Sequence, residues 1–332
     1  MVLMSLTLLV IYENPDQMKT FVTATTIFVF LLLTTSVTQA QTNTHAKKLF
    51  DALKVRDHKN ASIIARNIDD VNYTEKNGAS LLIGSSEIGY ADVCKILIDK
   101  GADADMQSPN GTTALYIASQ NGHADVVKLL LNAGAKTDIK ANNGATALIV
   151  ASQYGHADIV EQLLDKGAAV DLQDYNGSAA LILASQNGQT DVVKLLLNKE
   201  PKLDLKDING STALILASQT GQTEAVKLLL DKGANVDIQT NNGNSALILA
   251  ALKGNTEVVE ALLDKGAEVD LKTNNGATAL FAASSRGNTR VVNLLLERGA
   301  NPVLQDNEGK TASFYTKHYE IKALLTSYKD KK

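Results

Sequence analysis

The chain has 332 residues, of which 45% are hydrophobic and 20% charged, an ordinary composition for a soluble globular protein. Its 32 Lys and Arg against 36 Asp and Glu give a net charge of -4, which argues against a protein that binds nucleic acid by neutralising phosphates. A single cysteine argues against both a disulfide framework within the chain and a cysteine metal cluster.

Residues 1–40 are predicted to be a secretory signal peptide. Lys19 precedes an apolar run over 21–37, and small residues follow at Thr38 and Ala40, the two positions that a signal peptidase reads. A basic residue, an apolar core and a small-x-small site in this order are typical of a leader that is removed on export.

Two questions about this leader stay open at the level of sequence. Met18 is followed by a lysine and would make a conventional signal start, so we expect translation to begin there and not at Met1. A mature chain that begins at Gln41 would be periplasmic or secreted. An uncleaved run would instead tether the protein to a membrane, although it is short for a span of about 20 residues.

Glycine recurs every 33 residues from position 78 onward. The first series is Gly78, Gly111, Gly144, Gly177, Gly210, Gly243, Gly276 and Gly309. A second series begins eleven residues later at Gly89, and a third begins at Gly101 and is interrupted by Glu200. A fixed period of this length predicts an architecture of stacked repeats, each too small to bury its own apolar faces.

One unit, 110–138, shows how each repeat is expected to fold. Thr113 caps a first helix that Gly122 ends, and Asp125 opens a second helix that ends at Gly134. A long hairpin-like loop then leads to the next repeat. The apolar positions predicted to face the core are Ala114, Leu115, Ile117 and Ala118 in the first helix and Val126, Val127, Leu129, Leu130 and Leu131 in the second.

The repeats resemble the ankyrin repeat family. The segments 110–115, 122–130 and 134–135 are similar to its consensus in the right order, and the resemblance covers about 43–328. It implies an all-α solenoid of helix pairs joined by hairpin loops. The expected units are an N-terminal capping repeat over 41–74, seven full repeats over 75–305, and a C-terminal capping repeat with a tail over 306–332.

The chain departs from the family pattern in two ways. The family's Thr-Pro-Leu-His segment is replaced by sequences such as 146–149, in which Ala147 stands for the proline and Ile149 for the histidine. Without that histidine, we expect repeat interfaces that are more apolar and have fewer hydrogen bonds. Glu200-Pro201 replaces the usual Gly-Ala, which predicts a local distortion between the fourth and fifth repeats.

The resemblance implies that a partner binds the concave face formed by hairpin tips and first helices. Glutamine recurs there at Gln120, Gln153, Gln186 and Gln219. A neighbouring stripe is Ser119, Ser152, Ser185, Ser218 and Ser284. With Asn-rich tips, these residues predict a polar, uncharged groove. Tyr154, Tyr175 and Ile208 interrupt the pattern and are candidate hot spots, and Lys253 and Arg286 add positive charge towards the C-terminal end.

The sequence therefore predicts a non-catalytic scaffold that binds a protein partner outside the cytoplasm, as a monomer and without a cofactor or metal. Cys94 stands where other repeats have valine and is expected to be buried, His123 and His156 follow helix-ending glycines, and no catalytic triad is evident. A membrane-tethered structural or assembly factor, a host-directed secreted effector and an enzyme remain as alternatives. The uniform groove fits recent repeat duplication as well as it fits selected binding.

Overall fold

The computed structural model describes residues 44–329, so the predicted leader, Met18 and the cleavage point before Gln41 lie outside the described residues. Within this range the chain folds into nine consecutive helix pairs, with isolated β-bridges in some hairpins but no strand. The helices are α1 (44–54), α2 (His58–Arg66), α3 (Leu81–Ile88), α4 (Ala91–Asp99), α5 (Ala114–Asn121), α6 (Ala124–Asn132), α7 (Ala147–Tyr154), α8 (Ala157–Asp165), α9 (Ala180–Gln186), α10 (Thr190–Leu197), α11 (Ala213–Thr220), α12 (Thr223–Asp231), α13 (Ala246–Lys253), α14 (Thr256–Asp264), α15 (Ala279–Arg286), α16 (Thr289–Glu297), α17 (Ala312–Tyr315) and α18 (Tyr319–Lys329).

Seven of these pairs, α3 to α16, are the full repeats that the sequence predicts. Each first helix packs against its own second helix, and successive first helices pack against each other from α3 to α17. No helix in 44–329 is long and apolar enough to cross a membrane.

Local capping explains where the helices begin and end. Thr113 Oγ1 accepts a hydrogen bond from Tyr116 N at 3.2 Å and so caps α5. The helix ends at Gly122, whose φ of 78° lies in the left-handed region that glycine adopts at little cost. Asp125 in the first turn of α6 suits the positive end of the helix dipole. These three predictions are confirmed.

The core runs as one stack through all the repeats. Val127 and Leu130 of α6 are fully buried, and Ile149, in the place of the family's histidine, is 2% exposed. Cys94 is also fully buried, and burial raises the pKa of its thiol, which keeps it a small hydrophobe as predicted. Dispersion packing does replace the histidine at the interface between repeats.

Loop carboxylates make regular hydrogen bonds between neighbouring repeats. Lys136 N donates to Asp105 Oδ1 at 2.8 Å, and Ala169 N donates to Asp138 Oδ1 at 3.0 Å, each one repeat back along the stack. The same bond recurs at Asp171, Asp204, Asp237 and Asp270. These bonds lie in the hairpins, and they add to inter-repeat bonds near the ends of the first helices, such as that from Asn187 Nδ2 to the carbonyl oxygen of Gln153.

A second set of polar contacts alternates along the hairpins. Gln173 Nε2 donates to the carbonyl oxygen of Lys206 at 3.0 Å, and Lys206 Nζ donates to that of Gln239 at 3.4 Å. Gln239 Nε2 in turn donates to the carbonyl oxygen of Lys272 at 2.8 Å. The residues in this column are Gln107, Lys140, Gln173, Lys206, Gln239, Lys272 and Gln305. This contact therefore has a period of two repeats.

The segment at Glu200-Pro201 distorts the chain less than the sequence suggests. Glu200 keeps a positive φ of 50°, so the left-handed residue is not lost. Pro201 has no N–H, so it lacks the bond that Ala168 N makes to Leu163 O at 3.0 Å in the previous repeat. The visible consequence is that α10 ends at Leu197, one residue earlier than its counterpart α8.

Candidate partner-binding groove

In the described part of the chain, one concavity lies between first helices and hairpin tips towards each end of the solenoid. The C-terminal concavity, of about 900 Å³, lies between the first helices α13, α15 and α17 and the hairpin tips at 242–244, 273–275 and 306–308. The N-terminal concavity, of about 650 Å³, includes Phe50 and Ile88 in its lining. Together they mark the course of one groove between first helices and tips.

The repeat period places most predicted site residues along this groove. Leu252 and Ser285 line the C-terminal concavity at the repeat position that the four glutamines occupy. Asn274 and Asn307 line it at the repeat position of Tyr175 and Ile208. Equivalent positions of a regular stack share a face, so we place the glutamines on the helix side of the groove and Tyr175 and Ile208 on its tip side.

The glutamine column is half-buried and held in place by its backbone. His156 Nε2 lies 3.1 Å from the carbonyl oxygen of Gln120, and Asn187 Nδ2 donates to that of Gln153 at 3.0 Å. Within 44–329 the side chains of Gln120, Gln153, Gln186 and Gln219 make no hydrogen bond. Their amides are therefore available to donate to and accept from a partner.

Asparagines form a ladder along the hairpin tips. Asn241 Nδ2 donates to the carbonyl oxygen of Ile208 at 2.9 Å, and Asn274 Nδ2 donates to that of Asn241 at 2.9 Å. Asn307 continues the ladder, and Asn142 makes the same bond to Pro109. Each tip side chain in the ladder is thus engaged with the tip before it.

Tyr175 and Ile208 interrupt this ladder at two consecutive tips. Their side chains are 70% and 63% exposed. Their backbones keep the stacking, since Tyr175 N donates to Asn143 O at 3.0 Å and Ile208 N donates to Asn176 O at 2.9 Å. The sequence singled out both residues, and the structure exposes their side chains at consecutive tips, a pair that we call the apolar patch.

Tyr154 lies apart from that patch. It is the last residue of α7, is 51% exposed, and stacks on the ring of His156 with centroids 6.3 Å apart. Lys253 and Arg286 occupy its repeat position and are exposed, but they do not line the C-terminal concavity. These three residues are the last residues of their first helices.

The serine stripe does not belong to the groove. Ser119, Ser152, Ser185, Ser218 and Ser284 are fully buried, and within the described residues their hydroxyl oxygens have no hydrogen-bond partner. Their position in an eight-residue helix turns them towards the core and away from the concave surface. Their assignment to the concave face is therefore wrong.

The groove has an apolar floor, formed by first-helix side chains that the sequence analysis did not assign to it. Ile117, assigned to the core, is only half-buried, and Ala282 at the same repeat position lines the C-terminal concavity. Phe281 and Tyr315 close that concavity, with ring centroids 6.0 Å apart. The sequence does contain a signal for this floor. The repeat position of Ile117 is aliphatic in every repeat from there as far as Leu249, and in the last unit it is a tyrosine.

Charged side chains line the groove at both ends, so the expectation of an uncharged groove is wrong there. Lys54 and Arg56 line the N-terminal concavity, and Asp306 and Glu308 line the C-terminal one. The hydroxyl of Tyr315 donates to Asp306, which lowers the pKa of that carboxyl and raises the pKa of Tyr315 to about 12. The carboxylate and the protonated phenol therefore persist together at neutral pH.

One cluster at the N-terminal end brings a histidine, a carboxylate and a hydroxyl together. His58 Nε2 lies 2.6 Å from Asp92 Oδ1, and Ser62 Oγ donates to the other carboxylate oxygen. The carboxylate separates the other two groups, so the imidazole cannot take the serine proton, as nucleophilic catalysis requires. Within 44–329 no group of three or more potential metal ligands comes together.

The fold is that of an α-solenoid, and the chain belongs to the ankyrin repeat family. The family described as "Ankyrin repeats (3 copies)" matches residues 49–141, 81–174, 134–207, 181–273 and 223–306. The crystal structure of the human ASB11 ankyrin repeat domain is similar with a TM-score of 0.61 and 28% identity, over 68% of this chain and 100% of that one. No curated protein sequence matches. Ankyrin repeats are in general protein–protein interaction modules.

Proposed function

We propose that this protein is an exported, non-catalytic scaffold that binds a protein partner in its concave groove. The adjacent exposure of Tyr175 and Ile208 carries this proposal, because every ladder asparagine at that repeat position is engaged with its neighbour. Large side chains exposed together on a rigid surface are the residues that dominate binding energy when a partner covers them.

The rest of the predicted site surrounds this anchor. The free amides of the glutamine column offer hydrogen bonds on the helix side, with Tyr154 at its rim. Lys253 and Arg286 add exposed positive charge further along the stack, which favours a partner segment that is acidic there. A preformed solenoid surface loses little entropy on binding, so a few anchors suffice for a specific complex.

The first experiment captures partners from an envelope and secreted-protein extract with the full chain, and compares it with the double variant Tyr175→Asn and Ile208→Asn. Asparagine is the residue of the neighbouring tips, so the variant is expected to fold. Ile63→Asn is the control, since Ile63 is a 47% exposed apolar residue of α2 that lines neither concavity.

A partner retained by the wild type and the control, and lost by the double variant, would support the proposed site. We expect its Kd, measured with the purified pair, to rise about tenfold or more in the double variant. Equal retention by all three proteins would keep a binding function and reject this site. Turnover of a substrate by the pure chain would reject the scaffold role.

Export is tested separately by sequencing the N-terminus of the protein isolated from its source. A start at Gln41 is expected if the leader is a cleaved signal peptide. A start at Met1 or Met18 in a membrane fraction would favour a tethered structural or assembly factor instead.

A further inference from the structure

The C-terminal concavity differs in chemistry from the apolar patch at Tyr175 and Ile208. Its lining includes five asparagines, two threonines and a serine, and it contains no lysine, arginine or histidine. Its volume of about 900 Å³ lies at the upper end of the range for small-molecule sites in proteins. A ligand that fits here must satisfy many neutral polar groups at once.

Three of these asparagine side chains are free. Asn242, Asn244 and Asn275 make no side-chain hydrogen bond within 44–329, whereas the ladder engages Asn274 and Asn307. Each free amide supplies two donors and one acceptor oxygen. The concavity therefore offers paired donors and acceptors without charge.

The two carboxylates of the lining are already compensated. Asp306 Oδ1 accepts from the backbone N–H groups of Glu308 and Lys310 at 2.9 Å each, and its other oxygen accepts from Tyr315. Glu308 Oε2 lies 2.6 Å from Lys310 Nζ. A cationic ligand would have to compete with these contacts, so the groups left to bind a ligand select for a neutral one.

An aromatic ring completes the site. Tyr315 is 37% exposed, and its hydroxyl is held by Asp306. Its ring lies against Phe281 and Phe314, and Lys310 Nζ lies 5.9 Å from its centroid. A fixed, half-exposed ring gives a flat apolar surface beside the amides. Thr278, also in the lining, has a buried hydroxyl without a partner in the described part of the chain, although equivalent threonines such as Thr146 cap their helices.

We propose that the C-terminal concavity binds a neutral saccharide. A sugar ring carries hydroxyl groups that both donate and accept along its edge, and these match Asn242, Asn244 and Asn275. Its C–H face is apolar and matches the ring of Tyr315. This site lies in the same groove as the proposed partner site, but it uses residues other than the anchors Tyr175 and Ile208 and takes another class of ligand, so either function can be tested without the other.

The test is calorimetric titration of the full chain with neutral di- to hexasaccharides of hexoses and of N-acetylhexosamines. An uncharged Ser-Thr-Asn peptide and an oligogalacturonate serve as comparison probes. The site variant is Asn242→Ala with Asn275→Ala. The matched control is Asn176→Ala with Asn209→Ala, which removes the same repeat position outside the concavity.

We expect one or more neutral saccharides to bind the wild type with a Kd below about 1 mM and the site variant about tenfold or more weakly. The control variant should bind as the wild type does, and salt should leave the affinity unchanged, because the contacting groups are uncharged. The absence of binding by every saccharide, an equal loss in the control, or binding of the peptide or oligogalacturonate alone would overturn the proposal.

Discussion

A single side chain at each hairpin tip decides whether that tip is tied to its neighbour or left open to a partner. Asparagine donates to the preceding carbonyl, as Asn274 does to Asn241. Tyr175 and Ile208 make no such side-chain bond within the described chain, although the backbone bonds of their tips are intact. The loss of this side-chain bond at two consecutive tips departs from the simple repetition of a duplicated unit, and it favours a function for the two residues that replace asparagine.

Replacing Tyr175 and Ile208 by asparagine should therefore stabilise the protein while it removes the binding anchor. Each new amide can donate to the tip before it, and the net gain is about 1 kcal/mol for the pair. Urea unfolding followed by circular dichroism measures this change. A lower unfolding midpoint would mean that the packing of Tyr175 against Gly144 outweighs the restored bonds.

The buried serine column gives a second prediction at this scale. Ser152 is fully buried with an unpartnered hydroxyl, and the equivalent residue in the sixth repeat is Ala251. Ser152→Ala should raise the free energy of unfolding by about 1 kcal/mol, because a buried hydroxyl loses its hydration without gaining a partner.

The reverse change, Ala251→Ser, is the matched control and should lower the free energy of unfolding by a similar amount. Both variants are measured by the same urea titration. A destabilised Ser152→Ala variant would show that the hydroxyl has a partner in solution.

At the scale of the element, the end of α10 is irregular because Glu200-Pro201 stands where the other full repeats have Gly-Ala. Replacing Glu200-Pro201 with Gly-Ala should raise the free energy of unfolding by about 1 kcal/mol, since glycine adopts the positive φ without strain and alanine restores a backbone donor. Thermal and urea unfolding check this. An unchanged or lower stability would mean that the buried ring of Pro201 compensates for both defects.

The contact between α2 and α4 makes part of the stability depend on pH. Burial opposes the ionisation of Asp92, but hydrogen bonds from His58 and Ser62 outweigh it and hold the pKa of that carboxyl below its usual range. A depressed carboxyl pKa stabilises the fold above the unfolded value of about 4, and this contribution is lost as the pH falls through the folded value.

Asp92→Asn should therefore lower stability at neutral pH and reduce the further loss on acidification. The measurement is the urea midpoint of both proteins from neutral pH down to about pH 3. Asp191→Asn is the control, because that exposed carboxylate contacts Lys194 on its own helix. A parallel loss of stability in wild type and variant would exclude Asp92 as the acid-sensitive group.

The sequence predicts well those features of the fold that are determined within a single repeat. Thr113, Gly122 and Asp125 act within their own unit, so period and residue type were enough to place the helices. The Gln173–Lys206 contact and the tip ladder depend on the register between repeats, which one unit does not contain. The serine column was wrongly assigned to the concave surface because a helix of about two turns is too short for its apolar pattern to show which residues at the edge of the buried face are exposed.

For the whole molecule, the stack makes stability a sum over neighbouring units, so the ends and the middle are not equivalent. The middle repeats have neighbours on both sides and are tied to them by packing, loop carboxylates and the Gln–Lys column. Within 44–329 the last unit packs on the repeat before it, and its first helix, α17, has only four residues. The saccharide site proposed above lies partly on this least supported unit.

Hydrogen exchange should therefore report a gradient along the solenoid. We expect amides of α17 and α18 to show protection factors about tenfold or more below those of α7 to α12, because the end unit can open without separating two interfaces. Mass spectrometry of exchanged peptides resolves these segments. Uniform protection would mean that the solenoid opens as one cooperative unit. A saccharide that binds the C-terminal concavity should selectively raise the protection of the α17 amides in the same experiment.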